Sequence, residues 1–326
     1  MPSPHQRSAK RVLITGADGF VGKHLCAALL ARGNDAAVLR TCRRSTTAGG
    51  DARVELLDVR DARAVEGLLS DFRPSHVVNL AGISTLAEAD ADVDRTWQVH
   101  LQGSLNIARA ILRSVPDCVM LAVGSGEMYG SSALSGMPLD EQTVLAPVSE
   151  YAASKAAADL AIGALTRKGL RAVRLRPFNH SGPGQSDRFA LPAFARQIAA
   201  IELGGADPVI KVGNLEAERD IVDVRDVVEA YITVIEGSDK LPSNAVFNIA
   251  SGKSVRIGDL LDLMLSFASK KIRIEPDPGR MRAIEIPRYV GNANLAREVL
   301  GWKPEFTISR TLRDMYDAYR STTTPS

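Results

Sequence analysis

Short apolar runs alternate with segments of helical period over the first 176 residues. Arg11–Thr15, Asp35–Leu39, Val54–Leu57, His76–Leu80, Cys118–Val123 and Leu170–Arg176 read as buried strands, since near-continuous apolar runs suit a sheet covered on both faces. Between them, His24–Arg32, residues 91–114 and a segment from Tyr151 to about Lys168 carry apolar positions at helical spacing. Alternating strands and helices predict an α/β fold with a doubly wound parallel sheet. From Pro177 the pattern changes to short mixed elements, which predicts a smaller, interleaved C-terminal lobe. The expected division is a first domain of residues 10–178 with about 219–240, a lobe of 179–218 and 241–320, and flexible tails at 1–9 and 321–326.

The first strand runs into Gly16-Ala-Asp18-Gly19-Phe20-Val21-Gly22 and then a helix. Glycines spaced in this way between strand and helix allow a tight turn, close backbone approach to a pyrophosphate, and close packing of helix on strand. The helix N-terminus offers unpaired N–H groups to the phosphates. A Rossmann dinucleotide site is therefore expected, with residues 16 and 18–22 as contacts. An acid at the end of the second strand would hold the ribose hydroxyls of NAD. Arg40 stands there instead, followed by Arg43 and Arg44, and guanidinium groups suit a 2′-phosphate. This favours NADP(H) over NAD(H), although a solvated basic loop would look the same. Asp58 and Val59 end the third strand, where adenine would lie. Leu80, Ala81 and Gly82 end the fourth, where small residues let backbone lie against a cofactor. Ser84 just beyond is a candidate substrate contact.

Tyr151 and Lys155 lie four apart on a helix and so share a face. A nearby ammonium lowers a phenol's pKa from about 10, making tyrosine usable as an acid/base near neutral pH. Alone the pair also fits a surface helix with a half-buried tyrosine. Ser125 and Glu127 follow the fifth strand at the carboxyl edge of the sheet, where open α/β sheets bind ligands. Ser125 can bond a substrate oxygen, and Glu127 can act as acid, base or anchor.

Composition narrows the function classes. The formal net charge of +2 in 326 residues gives no basic excess for nucleic acid. The three cysteines are far apart and form no zinc spacing or disulfide framework, so no metal is expected. Residues 1–9 lack an apolar signal core and no run of 18 apolar residues exists, so a cytoplasmic protein without a membrane span is expected.

Thr15-Gly-Ala-Asp-Gly-Phe-Val-Gly22, Gly124-Ser-Gly-Glu-Met-Tyr-Gly130 and Tyr151-Ala-Ala-Ser-Lys155, in this order, resemble the extended short-chain dehydrogenase/reductases, the NAD-dependent epimerase/dehydratase family that acts on nucleotide sugars. The resemblance covers nearly the whole chain. It implies that Ser125 bonds the reacting sugar oxygen, Tyr151 is the catalytic acid/base, and Lys155 holds the nicotinamide ribose and lowers the tyrosine pKa. One position departs from the pattern. The family commonly carries Asn-x-x-Gly in the fourth helix, where the Asn helps position the active-site strands; this chain has His100-Leu-Gln-Gly103. His100 is expected to be structural rather than catalytic.

Arg176-Pro-Phe-Asn179-His-Ser-Gly-Pro-Gly-Gln185, Gly213-Asn-Leu-Glu-Ala-Glu-Arg219-Asp220, Asp277-Pro-Gly-Arg280-Met-Arg282 and Gly301-Trp-Lys-Pro304 resemble the members handling GDP-4-keto-6-deoxymannose, above all the reductases that make GDP-rhamnose. By that resemblance Asn179, Arg219 and Arg280 contact the substrate, with the arginines on its diphosphate. The implied reaction is NADPH-dependent reduction of the 4-keto group of a GDP-linked sugar, to GDP-6-deoxymannose or its C4 epimer. Glu127 keeps open a GDP-mannose 4,6-dehydratase. A C4 epimerase and a non-catalytic nucleotide sensor are the further alternatives, the latter opposed by the intact Ser125, Tyr151 and Lys155. A homodimer is expected through the Ala/Leu-rich helices at 91–114 and 151–168.

Overall fold

A computed structural model of the protein describes residues 10–32, 37–43, 54–281 and 286–322. Arg44, Arg282, the start of the second expected strand and both tail ends lie outside the described residues. In chain order the first half forms β1 (Arg11–Thr15), α1 (Phe20–Ala31), β2 (Ala37–Cys42), β3 (Val54–Leu56), α2 (Ala62–Phe72), β4 (His76–Asn79), α3 (Leu86–Ala91), α4 (Val93–Trp97), α5 (Gly103–Ser114), β5 (Val119–Val123), α6 (Glu150–Thr166) and β6 (Arg171–Pro177). The remainder forms β7 (Asn179–Ser181), α7 (Ala190–Glu202), β8 (Val209–Val212), β9 (Glu218–Asp223), α8 (Val224–Gly237), β10 (Val246–Ile249), β11 (Ser254–Arg256), α9 (Ile257–Leu265), β12 (Arg273–Pro276), β13 (Arg288–Tyr289), α10 (Asn294–Leu300) and α11 (Ile308–Thr322).

The chain divides into two compact units. The first comprises Met1–Gly124, Ser149–Leu175 and Tyr231–Val246; the second comprises Ser125–Val148, Arg176–Ala230 and Phe247–Ser326. Residues 125–148 and 219–230 thus group with the second unit, where the sequence reading had put them in the first. The 126–135 segment is anchored by Tyr289, and β9 carries β7, β11 and β13, so the partners of both stretches are C-terminal.

The central sheet has the strand order β10-β6-β5-β4-β1-β2-β3. Neighbours from β6 through β3 run parallel. The winding reverses between β1 and β4, so the loops after these strands open at the switch point where such sheets bind ligands. Val12, Leu13, Ile14, Val77 and Val78 are wholly buried because helices cover both faces. One layer of the core joins Leu13, Val77 and Met120 of the sheet to Leu69 of α2 and Ile107 and Ile111 of α5. The second unit builds its own core from Phe194 and Ile198 of α7, Ile210 of β8, Leu261 and Met264 of α9, and Met315 and Tyr316 of α11.

Two expected elements came out differently. The helix foreseen at 91–114 is broken: Asp92 leaves helical geometry and its carboxylate accepts from Arg95 N to start α4, and a π turn at Gln98–Gln102 precedes α5. The segment after Pro177 mixes short strands with longer helices than foreseen, since α7, α8 and α11 span 13, 14 and 15 residues. The apolar faces of α7 and α11 close the core of the second unit, and that partner surface is assembled from distant chain segments.

Asp220 on β9 is completely buried and accepts from Ser251 N and Oγ, Gly252 N and Gly291 N. Removing this acceptor leaves the buried Gly291 N–H and the part-buried Ser251 N–H without their partner. Asp220→Ala should lower unfolding free energy by about 3 kcal/mol or more, read as a shift in the urea midpoint. A variant as stable as the parent would show that water replaces the carboxylate.

Candidate active site

In the first unit the β1–α1 turn is fixed by backbone contact. Gly16 has φ +64°, and a Cβ there would lie 2.8 Å from the Leu80 carbonyl oxygen. A Cβ at Gly22 would lie 2.4 Å from the Gly16 oxygen, so α1 starts directly on the turn. Leu80 N donates to Thr15 O, Ala81 N donates to Thr15 Oγ1 at 3.1 Å, and Thr15 Oγ1 donates to Asn79 Oδ1 at 2.7 Å. The ends of β1 and β4 are therefore pinned together. Thr15 and Asn79 were not singled out as site residues from the sequence; their position at strand ends beside the glycine turn was the available signal.

Helix α1 begins at Gly19 with no side-chain cap and no acid in its first turn, so its leading N–H groups are open to an anion. This fits the pyrophosphate of a dinucleotide. Asp18, Phe20 and Val21 stand on the same turn, Asp18 exposed and the other two part-buried.

The second strand runs past its expected end. Arg40 pairs with Val54 and Cys42 with Leu56, so Arg40 lies inside β2 and Arg43 is the residue just beyond it. The charge of Arg40 acts on the Cys26 thiol of α1, whose pKa burial raises to about 11 against that charge. Asp58 is bound by Arg60, with Nη2 2.6 Å from Oδ2. That hydrogen bond holds its carboxyl below the ordinary range, and Arg43 adds to the effect. Arg60 is a neighbour the sequence reading missed. Val59 is buried, and its carbonyl accepts from Asn106 Nδ2 at 2.9 Å.

Ser149, two residues before Tyr151, caps α6 by accepting from Ala152 N. Lys155, one turn later, donates from Nζ to the Val123 carbonyl at the end of β5, at 3.2 Å. Burial lowers its pKa to about 8. A Cβ at Gly82 would lie 3.5 Å from Lys155 Nζ, so the expected cofactor-facing backbone and the lysine do meet. Ser84 is exposed in the loop that follows.

In the second unit Ser125 is extended and caps the segment Gly126–Ser135, its Oγ accepting from Glu127 N at 3.2 Å. Glu127 is part-buried on the same turn. Tyr289 spans the turn: its hydroxyl donates to Gly126 O at 3.0 Å and accepts from Gly130 N at 2.7 Å. Asn179 is exposed at the start of β7. Arg219 is buried, and its Nη1 donates to the Glu218 and Ile286 carbonyls. Arg280 is exposed and pairs with Asp277. A Cβ at Gly213 would lie 2.5 Å from the Arg280 carbonyl, so two motifs distant in sequence meet there. Among the described residues no group of three His, Cys, Asp or Glu is placed to hold a metal ion, and no helix is long and apolar enough to cross a membrane.

The family model described as GDP-mannose 4,6 dehydratase matches residues 13–315. The chain belongs to that family of extended short-chain dehydrogenase/reductases. It is 34% identical to the GDP-6-deoxy-D-mannose reductase of Pseudomonas aeruginosa over 96% of this chain and 98% of that one. It is 28% identical to GDP-mannose 4,6 dehydratase 2 of Arabidopsis thaliana over 94% of this chain and 86% of that one. The structure of RMD from Pseudomonas aeruginosa complexed with NADPH superposes with a TM-score of 0.83 at 31% identity, covering 96% of this chain and all of that one. The fold expected from the strand and helix pattern is the fold of these relatives.

The family's lysine carries a pH signature in this chain. Its folded pKa lies below the unfolded value of 10.5, so between these values the unfolded chain binds the extra proton and stability rises with pH. Below about 8 both states are protonated and the burial penalty is present in full. Lys155→Met should therefore stabilise the apo protein at neutral pH, with the gain fading from pH 8 to 10.5, as followed by chemical denaturation across that range. A constant difference between the two proteins would contradict the lowered pKa.

Proposed function

We propose that this protein is an NADPH-dependent nucleotide-sugar reductase that converts the 4-keto group of GDP-4-keto-6-deoxymannose to the alcohol. The Tyr151–Lys155 pair, with a buried ammonium at the end of β5, carries the oxidoreductase reading. The similarity to the Pseudomonas aeruginosa reductase over nearly the full chain supports the substrate and the direction. The bound nicotinamide cofactor supplies the hydride. Tyr151 donates a proton to the oxygen that develops negative charge at C4. Lys155 favours the ionised phenol that results, because its cation is only partly solvated. Ser125 donates its hydroxyl proton to the same oxygen. Gly16, Gly19 and Gly22 admit the pyrophosphate to the start of α1, with Leu80, Ala81 and Gly82 alongside. Asn179, Arg219 and Arg280 hold the sugar nucleotide, the arginines on its diphosphate.

Arg43, just past β2, and Arg40 within it favour a 2′-phosphate over two ribose hydroxyls, and so NADP(H) over NAD(H). The same reading takes the enzyme as a homodimer; Leu160 of α6, 60% exposed, is an apolar residue that pairing of these helices would cover. A second reading, a GDP-mannose 4,6-dehydratase, rests on Glu127 beside Ser125 and on the similarity to the Arabidopsis dehydratase. Glu127 would then take the C5 proton and the C6 hydroxyl would leave as water.

GDP-4-keto-6-deoxymannose should consume NADPH one for one, followed at the nicotinamide absorbance, and Tyr151→Phe should lower kcat by about a hundredfold or more. Formation of a 4-keto product from GDP-mannose with only trace cofactor would instead establish the dehydratase. Replacing Arg40 and Arg43 by alanine should raise KM for NADPH about tenfold while leaving that for NADH nearly unchanged. Equal losses with both cofactors would remove the 2′-phosphate assignment.

A further inference from the structure

We propose that His100 is a positioning residue for the Tyr151–Lys155 pair, a neutral imidazole clamp standing where the family pattern carries asparagine. The proposal rests on the reductase reading above. His100 lies at the centre of the π turn Gln98–Gln102 and is 2% exposed. An inserted residue of this kind turns a side chain off the regular helical stripe, and such turns are frequent at functional sites. The backbone of the turn is held from below. Ser104 Oγ donates to the His100 carbonyl, and Asn79 Nδ2 of β4 donates to Ser104 Oγ at 3.0 Å.

The ring has two opposite partners. Nδ1 is 2.8 Å from Ser154 Oγ, and Ser154 donates its only hydroxyl proton to the Tyr151 carbonyl at 2.9 Å. Nδ1 must therefore be the donor in its bond to Ser154. Nε2 accepts from the Ile83 N–H at 2.9 Å. Both nitrogens are thus assigned, with one proton on Nδ1. The imidazole ties α6, through Ser154 just before Lys155, to the loop that leaves β4. It also stands edge-on to the Tyr151 ring, with centroids 5.5 Å apart and an interplanar angle of 85°.

A second proton would be opposed from several sides. On Nε2 it would meet the Ile83 N–H, and the Ile83 carbonyl at 3.2 Å could receive it only if that bond were given up. A Cβ at Gly82 would lie 3.2 Å from His100 Nε2 and 3.5 Å from Lys155 Nζ, so ring and ammonium border the same stretch of backbone. Among the described residues, the titratable groups facing the ring are Lys155 and Tyr151, both from α6. Burial and the Lys155 charge lower the His100 pKa to about 3. The ring therefore carries no charge while the tyrosine works. It fixes the direction of α6 without competing with Lys155 for the phenolate.

The test combines two variants with a spectrum of the unsubstituted protein. Nitrogen-15 NMR of the histidine rings should show His100 protonated on Nδ1 and unchanged from pH 5 to 9; a ring that titrates near 6.5 overturns the clamp. His100→Asn, which restores the family's side chain, should keep kcat within about threefold, while His100→Ala should lose about tenfold in kcat with KM nearly unchanged. In His100→Ala the alkaline limb of the kcat profile should also move to higher pH, because Tyr151 is then held less firmly beside the ammonium. Lower thermal stability with parental kcat and pH limb would reduce His100 to packing and overturn the proposal. Should His100→Ala fail to fold, the ring spectrum and His100→Asn still decide. A parent protein that oxidises no NADPH with the keto sugar would count against the reductase reading, and the spectrum, which needs no substrate, would judge the clamp separately.

Discussion

The contact between backbones at the carboxyl edge of the sheet is the constraint on which the first unit depends. The β1–α1 turn passes the end of β4 so closely that no side-chain carbon fits at Gly16, and α1 starts so close to the turn's own backbone that none fits at Gly22. This closeness leaves the start of α1 uncapped and open, and it brings Leu80, Ala81 and Gly82 beside the turn. It is secured by polar groups as well as by packing. Thr15 bonds both Asn79 and Ala81, so a hydroxyl at the end of one strand sets the course of the next loop. A helix N-terminus presented in this way binds phosphate with backbone groups alone, which leaves the neighbouring side chains for discrimination.

Charge in the first unit is placed by burial. Lys155 keeps a donor bond to Val123 but is only partly hydrated, so its proton is held less tightly than in water. A cation in that condition is a strong local influence on a phenol one turn away, because the intervening medium screens it weakly. The same burial keeps His100 neutral. The first unit therefore places a weakly held cation, Lys155, next to a polar but uncharged neighbour, His100.

The second unit solves a different problem, which is to hold irregular chain in place. Tyr289 bridges Gly126 and Gly130, and Asp220 gathers donors from two separate segments, Ser251–Gly252 and Gly291. Buried polar groups with full complements of partners fix loop geometry where no helix or ladder does. Ser125 is held in the same way, its hydroxyl oxygen accepting from Glu127 N. Arg219 is buried with one nitrogen on backbone carbonyls, so it serves the structure whatever it also binds.

The sequence by itself determined the alternation of strands and helices, the glycine turn and the Tyr151–Lys155 spacing, because each is set by residues near one another in the chain. Strand existence followed from apolar runs whose burial both faces of a parallel sheet require. Boundaries were less legible: β2 continues to Cys42 because Val54–Leu56 pairs with it, and a pairing partner is not visible in the strand itself. Asp92 and the π turn at His100 broke a helix whose apolar period looked continuous, since their partners lie outside it. The long C-terminal helices were missed for a related reason; their apolar faces acquire meaning only against one another. Tertiary structure alone decided that Gly213 meets Arg280 and that His100 joins Ser154 to Ile83. These contacts join distant segments, and only the folded chain brings their atoms within hydrogen-bonding or van der Waals range.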